Sequence, residues 1–282
     1  MTSVGFDSLW AQVTSLNGAK VAVSTPACSF WPYKFVSQLL AKLVLQGVVN
    51  LQTNTPVTAV RQAGGGCSSV IETPRGSLRA RKVIFATNAY TSGICSLYRD
   101  TVIPYKGTAC HITPQNGPVS PHLSHTYNIS YPIGPGHTDY LNPRPDGGIV
   151  VGGAKWRFEN ERSLWYQNYD DSVLLPGGRD HFDGLMQRHF KGWEHSNAQV
   201  DRIWTGIMGA TPDSLPHVGE VIGRERQHYM LAGFNGGGNA LIFTCARGVA
   251  EMVLRDTDFE STGLPMLFKT TKERLEERMA AS

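Results

Sequence analysis

The chain lacks most of the features that mark whole classes of protein. Its five cysteines, Cys28, Cys67, Cys95, Cys110 and Cys245, form no CxxC pair and sit in no His cluster at metal-ligand spacing, so no structural zinc site or disulfide framework is expected. No apolar run approaches the roughly 18–20 residues of a membrane helix. Residues 1–16 lack a basic stretch followed by an apolar core, the mark of a secretory signal. A soluble, cytoplasmic protein with no membrane partner is the expectation. Charge is sparse, at 17% of residues, and the formal net charge of +3 is spread thinly, so no nucleic-acid partner is expected. There is no internal repeat, and the only low-complexity tracts are two short glycine runs, 64–66 and 236–238.

What is present is 282 residues, 41% of them hydrophobic, enough for a sizeable core in one large domain or two interleaved ones. Residues 31–45 carry Phe35, Leu39, Leu40, Leu43 and Val44 on one helical face, and Gly47 follows as a stop. Residues 48–60 read as a strand segment broken by Pro56. Segments 68–73 and 77–80 read as a hairpin around Pro74-Arg75-Gly76, and 82–86 (KVIFA) as a buried, parallel strand. Strands then dominate at 102–112, 126–131, 140–143 and 149–153, the last two joined by the turn Asp146-Gly147-Gly148.

Residues 172–190 suggest a helix whose start is pushed towards Arg179 by Pro176, Gly177 and Gly178. Strands in 199–208 and 229–234 and a helix over 240–254 restore the α/β pattern. The charged end of the chain, 269–279, reads as a frayed surface helix or as disordered. The predicted fold is α/β: a Rossmann-like dinucleotide-binding layer from 1–100 and 200–260, an inserted antiparallel α+β substrate-binding sheet from 101–199, and a tail from 261–282.

The chemistry concentrates where a strand empties into Gly233-Phe234-Asn235-Gly236-Gly237-Gly238-Asn239 and then into a helix. The first N–H groups of such a helix point at whatever lies in front of them, and glycine lets a flat or bulky ligand come close. The run lacks the spaced GxGxxG form, and a flexible loop capping a core helix is the competing reading. The strand at 82–86 likewise ends in small and polar residues, Ala86-Thr87-Asn88. That is the end of a strand at which open α/β sheets bind ligands, or else a plain exit into a turn.

Six stretches in order resemble the D-amino-acid-oxidase-like family of FAD-dependent oxidoreductases. They are Trp31-Pro32-Tyr33-Lys34-Phe35 with Thr55-Pro56-Val57; residues 82–88; Val102-Ile103-Pro104-Tyr105-Lys106-Gly107; Tyr140-Leu141-Asn142-Pro143-Arg144-Pro145-Asp146-Gly147 with 150–153; Trp204-Thr205-Gly206 with Thr211-Pro212-Asp213 and Pro216-His217-Val218-Gly219; and 232–236. The resemblance spans about residues 24–255, and the FWPYKF and GFNG stretches are similar to those of fungal members. It implies an incomplete FAD-binding Rossmann-like layer, because family members begin with a strand and GxGxxG turn for the FAD pyrophosphate that this sequence lacks near its N-terminus. A truncated product, or one half of a split protein with a separate N-terminal half, is the expectation. Gly206 stands where some members attach flavin through cysteine, so the resemblance implies FAD that is non-covalent at that position.

The resemblance further implies oxidation of an uncharged amine or amino acid by hydride transfer from its α-carbon to flavin. The product is an imine that water hydrolyses, dioxygen is the oxidant, and the setting is fungal specialised metabolism. Implied cofactor contacts are Val57, Ala86, Thr87, Asn88, Gly206, Asp213 and the stretch from Gly233 to Asn239, with 233–239 facing the same cleft as Asn88 and Asp213. Candidate substrate contacts are Tyr140, Arg144, Lys106 and Trp156: a cation would hold a carboxylate and rings would line an amine pocket. Competing roles are a solvated turn for Arg144, core packing for Tyr140 and Trp156, and a cap or turn for Asp213. His111, His137 and His217 have no partner identifiable from sequence. The alternative is an inactive remnant or binding subunit that holds no FAD by itself. A nicotinamide-dependent Rossmann enzyme fits less well, since it needs the same missing GxGxxG.

Overall fold

The computed structural model describes residues 2–5, 14–64, 66, 68–117, 119 and 122–277. Gly65, Cys67 and the last part of the predicted tail, 278–282, lie outside them. In chain order the principal elements are β1 (Thr2–Gly5), β2 (Val21–Ser24), α1 (Pro32–Leu45), β3 (Ala59–Gln62), β4 (Ser69–Thr73), β5 (Gly76–Ala80), β6 (Val83–Phe85), α2 (Thr91–Ile94) and β7 (Ile103–Thr113). There follow β8 (Tyr127–Ser130), β9 (Thr138–Pro143), β10 (Ile149–Gly153), α3 (Arg162–Trp165), α4 (Gly178–Phe182), α5 (Leu185–His189), β11 (Gln199–Ala210), β12 (His217–Glu220), β13 (His228–Ala232), α6 (Gly238–Arg255) and α7 (Lys272–Glu276). The mixture of helices with several sheets is an α/β fold. Its residues divide into two compact units, Met1–Phe30 with Lys106–Gly206, and Trp31–Tyr105 with Ile207–Ser282.

In the first unit the sheet order is β11-β7-β10-β9-β8, with β7/β10, β10/β9 and β9/β8 antiparallel. Alternation assigns the faces. Cys110, Ile112, Leu141, Ile149 and Val151 point into a core with Phe182, Leu185, Met186, Phe190 and Trp193, while Tyr140, Val150 and Gly152 point the other way. The helix expected over 172–190 is two short ones: the first ends at Phe182, where Asp183 turns extended, and Gly184 at φ +69 caps the start of the second. Asp139 is fully buried in this unit. Its Oδ1 accepts the Ala154 N–H (2.9 Å), and its Oδ2 accepts the Tyr131 hydroxyl (2.9 Å) and faces His181 Nε2 at 2.6 Å.

In the second unit β6 runs parallel to β13, and β12 lies antiparallel on the far side of β13, so β6 is the edge strand of a three-stranded sheet. The 18-residue α6 packs on this sheet through Cys245, Val249 and Met252, against Tyr229 and Leu231. A separate meander, β3-β4-β5, contains the expected hairpin. The strand predicted over 48–60 forms only at Ala59–Gln62. Residues 48–57 lie outside every ladder among the described residues, pairing beginning only with the Thr58 N–H on the Glu72 carbonyl (2.8 Å), and a strand's backbone groups need such partners. Helix α1 forms as predicted but buries none of its residues; Tyr33, Phe35, Val36 and Leu39 are exposed.

The segment after Arg255, expected to fray, is tied to this unit. Arg274 reaches Asp213 with two N–H groups (2.7 and 3.2 Å) and also donates to the carbonyls of Leu215, Pro216 and Lys269. Leu275 is buried. Thr270 Oγ1 meets both the Tyr98 hydroxyl (2.9 Å) and His217 Nδ1 (3.0 Å).

Burial, with Arg274 adding repulsion, pulls the His217 imidazole down from 6.5 to about 3. Between these two values the unfolded chain holds a proton on this residue that the folded chain does not, so stability rises with pH. His217 therefore imposes no cost above pH 6.5 and an increasing one as pH falls towards 3, up to about 1.4 kcal/mol per pH unit. Urea melts across that window should show a steep loss on acidification that flattens in His217→Gln. An identical pH dependence in the variant would remove His217 as the cause.

Candidate functional site

The turn after β13 is held rigidly by two asparagines. Asn88 leaves the end of β6 in the left-handed region (φ 42), and its side-chain Oδ1 accepts the N–H groups of both Gly233 (3.0 Å) and Phe234 (3.2 Å). Asn235, also left-handed at φ 51, accepts the Thr211 N–H at its Oδ1 (3.0 Å). Its Nδ2 donates to Thr211 Oγ1 (3.1 Å) and the Gly233 carbonyl (2.8 Å), and its own N–H donates to the Gly209 carbonyl (2.9 Å). Short polar side chains tolerate this conformation, which is why asparagine stands at both places. These bonds tie down Gly233, Phe234 and Asn235, the first half of the turn.

The glycines of the turn serve two different needs. Gly233 has φ +72, and a Cβ there would run into Thr211, so both conformation and close packing require it. Gly236 and Gly237 have no such need. Neither has positive φ; nothing lies within 4 Å of a Cβ built on Gly237, and only the Tyr105 hydroxyl, at 3.9 Å, lies within reach of one on Gly236. Both are exposed. What two glycines leave there is open space against the backbone, directly before α6, whose N-terminus has no side-chain cap and no acidic residue in its first turn. Asn239 is exposed on that first turn. Such a turn can receive the flat edge of an electron-rich ligand.

The other sequence candidates distribute as follows. Ala86 is exposed at the end of β6, and Thr87 bonds Thr91 through the two hydroxyls (2.8 Å). Val57 lies in the unpaired stretch before β3 and is 36% exposed. Asp213 is engaged by Arg274. Burial pushes its carboxyl up, but the Arg274 and Leu215 hydrogen bonds outweigh this and hold it below the usual carboxylate range. Gly206 belongs to the first unit, where no atom lies within 4 Å of a Cβ built on it.

Also in the first unit, Lys106 is buried and donates to the Val173 carbonyl (3.1 Å). Arg144 pairs with Asp146 across the hairpin turn (2.6 Å). Trp156 packs edge-on against His181 and tilted against Tyr131 and His137, with centroids 4.9–5.5 Å apart. Tyr140 lies along Gly152, where a Cβ would collide with its ring. It remains 46% exposed, while partial burial pushes its phenol up. Each of the three histidines has one partnered ring nitrogen, His111 on Asp201 (2.8 Å), His137 on Glu159 (3.1 Å) and His217 on Thr270, and one buried nitrogen without a hydrogen bond.

Sequence reading passed over Tyr105, the Asn235–Thr211 clamp and Asp139. For Tyr105 the only signal was its place in the PYKG stretch; for the others there was none short of the fold. Among the described residues no His, Cys, Asp and Glu group could hold a metal ion, and no helix is long and apolar enough to cross a membrane.

Fold and turn together define an α/β protein in which a parallel strand pair leads through a glycine turn into an uncapped helix. Within that class the chain belongs to the DAO family of FAD-dependent oxidoreductases, whose family model matches residues 9–252. Its fold is similar to that of glycine oxidase from Geobacillus kaustophilus (TM-score 0.63, 19% identity, covering 84% of this chain and 57% of that one). It is also similar to L-proline dehydrogenase from P. horikoshii (0.63, 21%, 80% and 56%). A third similar structure is NikD, described as an unusual amino acid oxidase essential for nikkomycin biosynthesis (0.60, 16%, 87% and 59%). The chain spans less than two thirds of the length of each of these three.

Proposed function

We propose that this chain forms the ring-facing and substrate-facing parts of an FAD-dependent oxidoreductase that oxidises a C–N bond of a small amine or amino acid. Bound FAD supplies the two-electron acceptor that no side chain can. The observation that carries the reading is the turn from Gly233 to Asn239, clamped by Asn88 and Asn235 yet open above Gly236 and Gly237. The turn and the first N–H groups of α6 would hold the electron-rich edge of the ring and favour negative charge on it. Ala86 and Thr87 at the end of β6, with Val57 and Asp213, would border the same cofactor. Gly206 offers no group for a covalent link, so no such link would form at that position.

Of the substrate candidates, Tyr140 fits best, as an exposed ring on the non-core face of the sheet. Lys106 and Arg144 already have partners, and Trp156 packs among Tyr131, His137 and His181. Dioxygen as oxidant and a place in specialised metabolism complete the proposal; NikD, a structural neighbour, is an oxidase of that kind by its description.

A second reading has its own support. No GxGxxG occurs anywhere in the sequence, β6 is an edge strand, and α1 exposes an apolar surface of the kind that marks an interaction site. On this reading the chain is a binding subunit whose sheet is completed by a further strand-bearing segment, and it holds no FAD by itself. Titrating the purified chain with FAD and with riboflavin, followed by flavin fluorescence and visible absorption, separates the two. The first reading expects saturable binding, weak for want of a pyrophosphate cradle. No binding of either compound leaves the second.

A further inference from the structure

We propose that Tyr105 is a cofactor-contacting residue whose hydroxyl donates a hydrogen bond to an acceptor on the flavin ring edge seated against Gly236. The inference rests on the reading that the glycine turn receives a flavin, and it assigns to that site a side chain outside the glycine turn and its two asparagine clamps. Tyr105 stands on β7 directly after Ile103 and Pro104, both buried, so its backbone is anchored and its ring half-buried. Its Oη is the one atom within 4 Å of a Cβ placed on Gly236. The space that the glycine leaves free is therefore walled on one side by a phenol. An atom of a ligand filling that space comes within hydrogen-bonding reach of Oη after a shift of about 1 Å.

Two further observations favour a ligand over a solvated spacer. Among the described residues the Tyr105 hydroxyl has no hydrogen-bond partner, whereas Asn88 Oδ1, both ends of the Asn235 side-chain amide and the Thr211 hydroxyl are engaged with one another or with backbone. The backbone at Gly236 also has no conformational need of glycine, so the emptiness beside Oη is itself the feature to be explained. Burial raises the phenol above its ordinary value, which keeps it protonated at neutral pH and makes it a donor there.

The test is Tyr105→Phe, which removes one oxygen and keeps the ring. Wild type and variant are titrated in parallel with FAD and with riboflavin by flavin fluorescence, and melted with and without ligand. The expected result is an unchanged melt without ligand and a Kd raised about 3- to 10-fold for both compounds, with an altered visible band shape. If wild type binds and Tyr105→Phe binds equally well with the same spectrum, the proposal fails and the flavin reading stands. If wild type binds neither compound, that reading fails and takes the proposal with it. Should the variant melt early, wild type labelled with fluorotyrosine decides. The Tyr105 resonance shifts on adding riboflavin if the hydroxyl touches the ring, and a resonance that does not move overturns the contact.

Discussion

Gly236→Val is expected to abolish most flavin binding while leaving the protein folded. The reason lies in what surrounds the position. Gly236 is exposed and has no positive φ, and the only group a Cβ would meet is the Tyr105 hydroxyl at 3.9 Å. A valine therefore adds no clash inside the protein and no strain to the turn, whose shape is set by Asn88 and Asn235. Its two methyl groups occupy instead the space into which the ligand edge must fit. Crowding of this size costs about 1–3 kcal/mol, or roughly 5- to 150-fold in Kd. Titration with FAD, alongside a thermal melt without ligand, reads both halves of the expectation. A variant that binds as wild type does would reduce the glycine pair to an ordinary connection between β13 and α6. Gly233→Val is the contrasting case: there φ is +72 and Thr211 occupies the Cβ position, so the fold itself should suffer.

The largest effect on stability is expected from Asp139→Ala. The carboxylate is fully buried, and the Ala154 N–H, the Tyr131 hydroxyl and His181 all turn towards it. The surrounding backbone is shaped to admit it: Ala154 is left-handed at φ 56, and Gly153, at φ +142, is a glycine where a Cβ would strike Asp139 Oδ1. Removing the carboxylate leaves the Ala154 N–H, the Tyr131 hydroxyl and the His181 ring nitrogen in the interior without their acceptor, and at about 1–3 kcal/mol for each buried group left unsatisfied the loss is roughly 3–5 kcal/mol. For a chain of this size that corresponds to a fall in Tm of roughly 10 °C. Asp139→Asn keeps the shape and one acceptor and should lose less. A melt within the error of wild type for Asp139→Ala would mean that the unit relaxes around the loss and that the three contacts contribute little. Because Asp139 and Tyr140 point to opposite faces of β9, weakened flavin binding is not expected from a variant that remains folded.

Some of this molecule was legible in the order of its residues because the forces concerned act over a few positions. The apolar spacing of 31–45 specifies α1, and the turn Asp146-Gly147-Gly148 joins β9 to β10 as its residue types demand. The run KVIFA yields a strand parallel to β13. Local pattern also led to the strand, glycine and helix sequence at 228–255, and so to the family. It misled where a segment's state depends on a neighbour: residues 48–57 have strand-forming side chains but no ladder partner among the described residues, and β12 was passed over because four residues after a proline carry little pattern until β13 lies beside them.

The character of the site was decided only by the tertiary structure. Asn88 and Gly233 are 145 positions apart, Asp213 and Arg274 are 61 apart, and Asp139 and His181 are 42 apart. No local rule brings such pairs within 3 Å of each other; folding does so by burying the apolar faces of the strands that carry them. Residue types and their short-range order thus determined that a strand empties through a glycine turn into a helix. Whether that turn is rigid, which polar groups are already occupied, and which tyrosine stands beside the open glycine depended on hydrogen bonds between distant segments, whose geometry exists only once the core has formed.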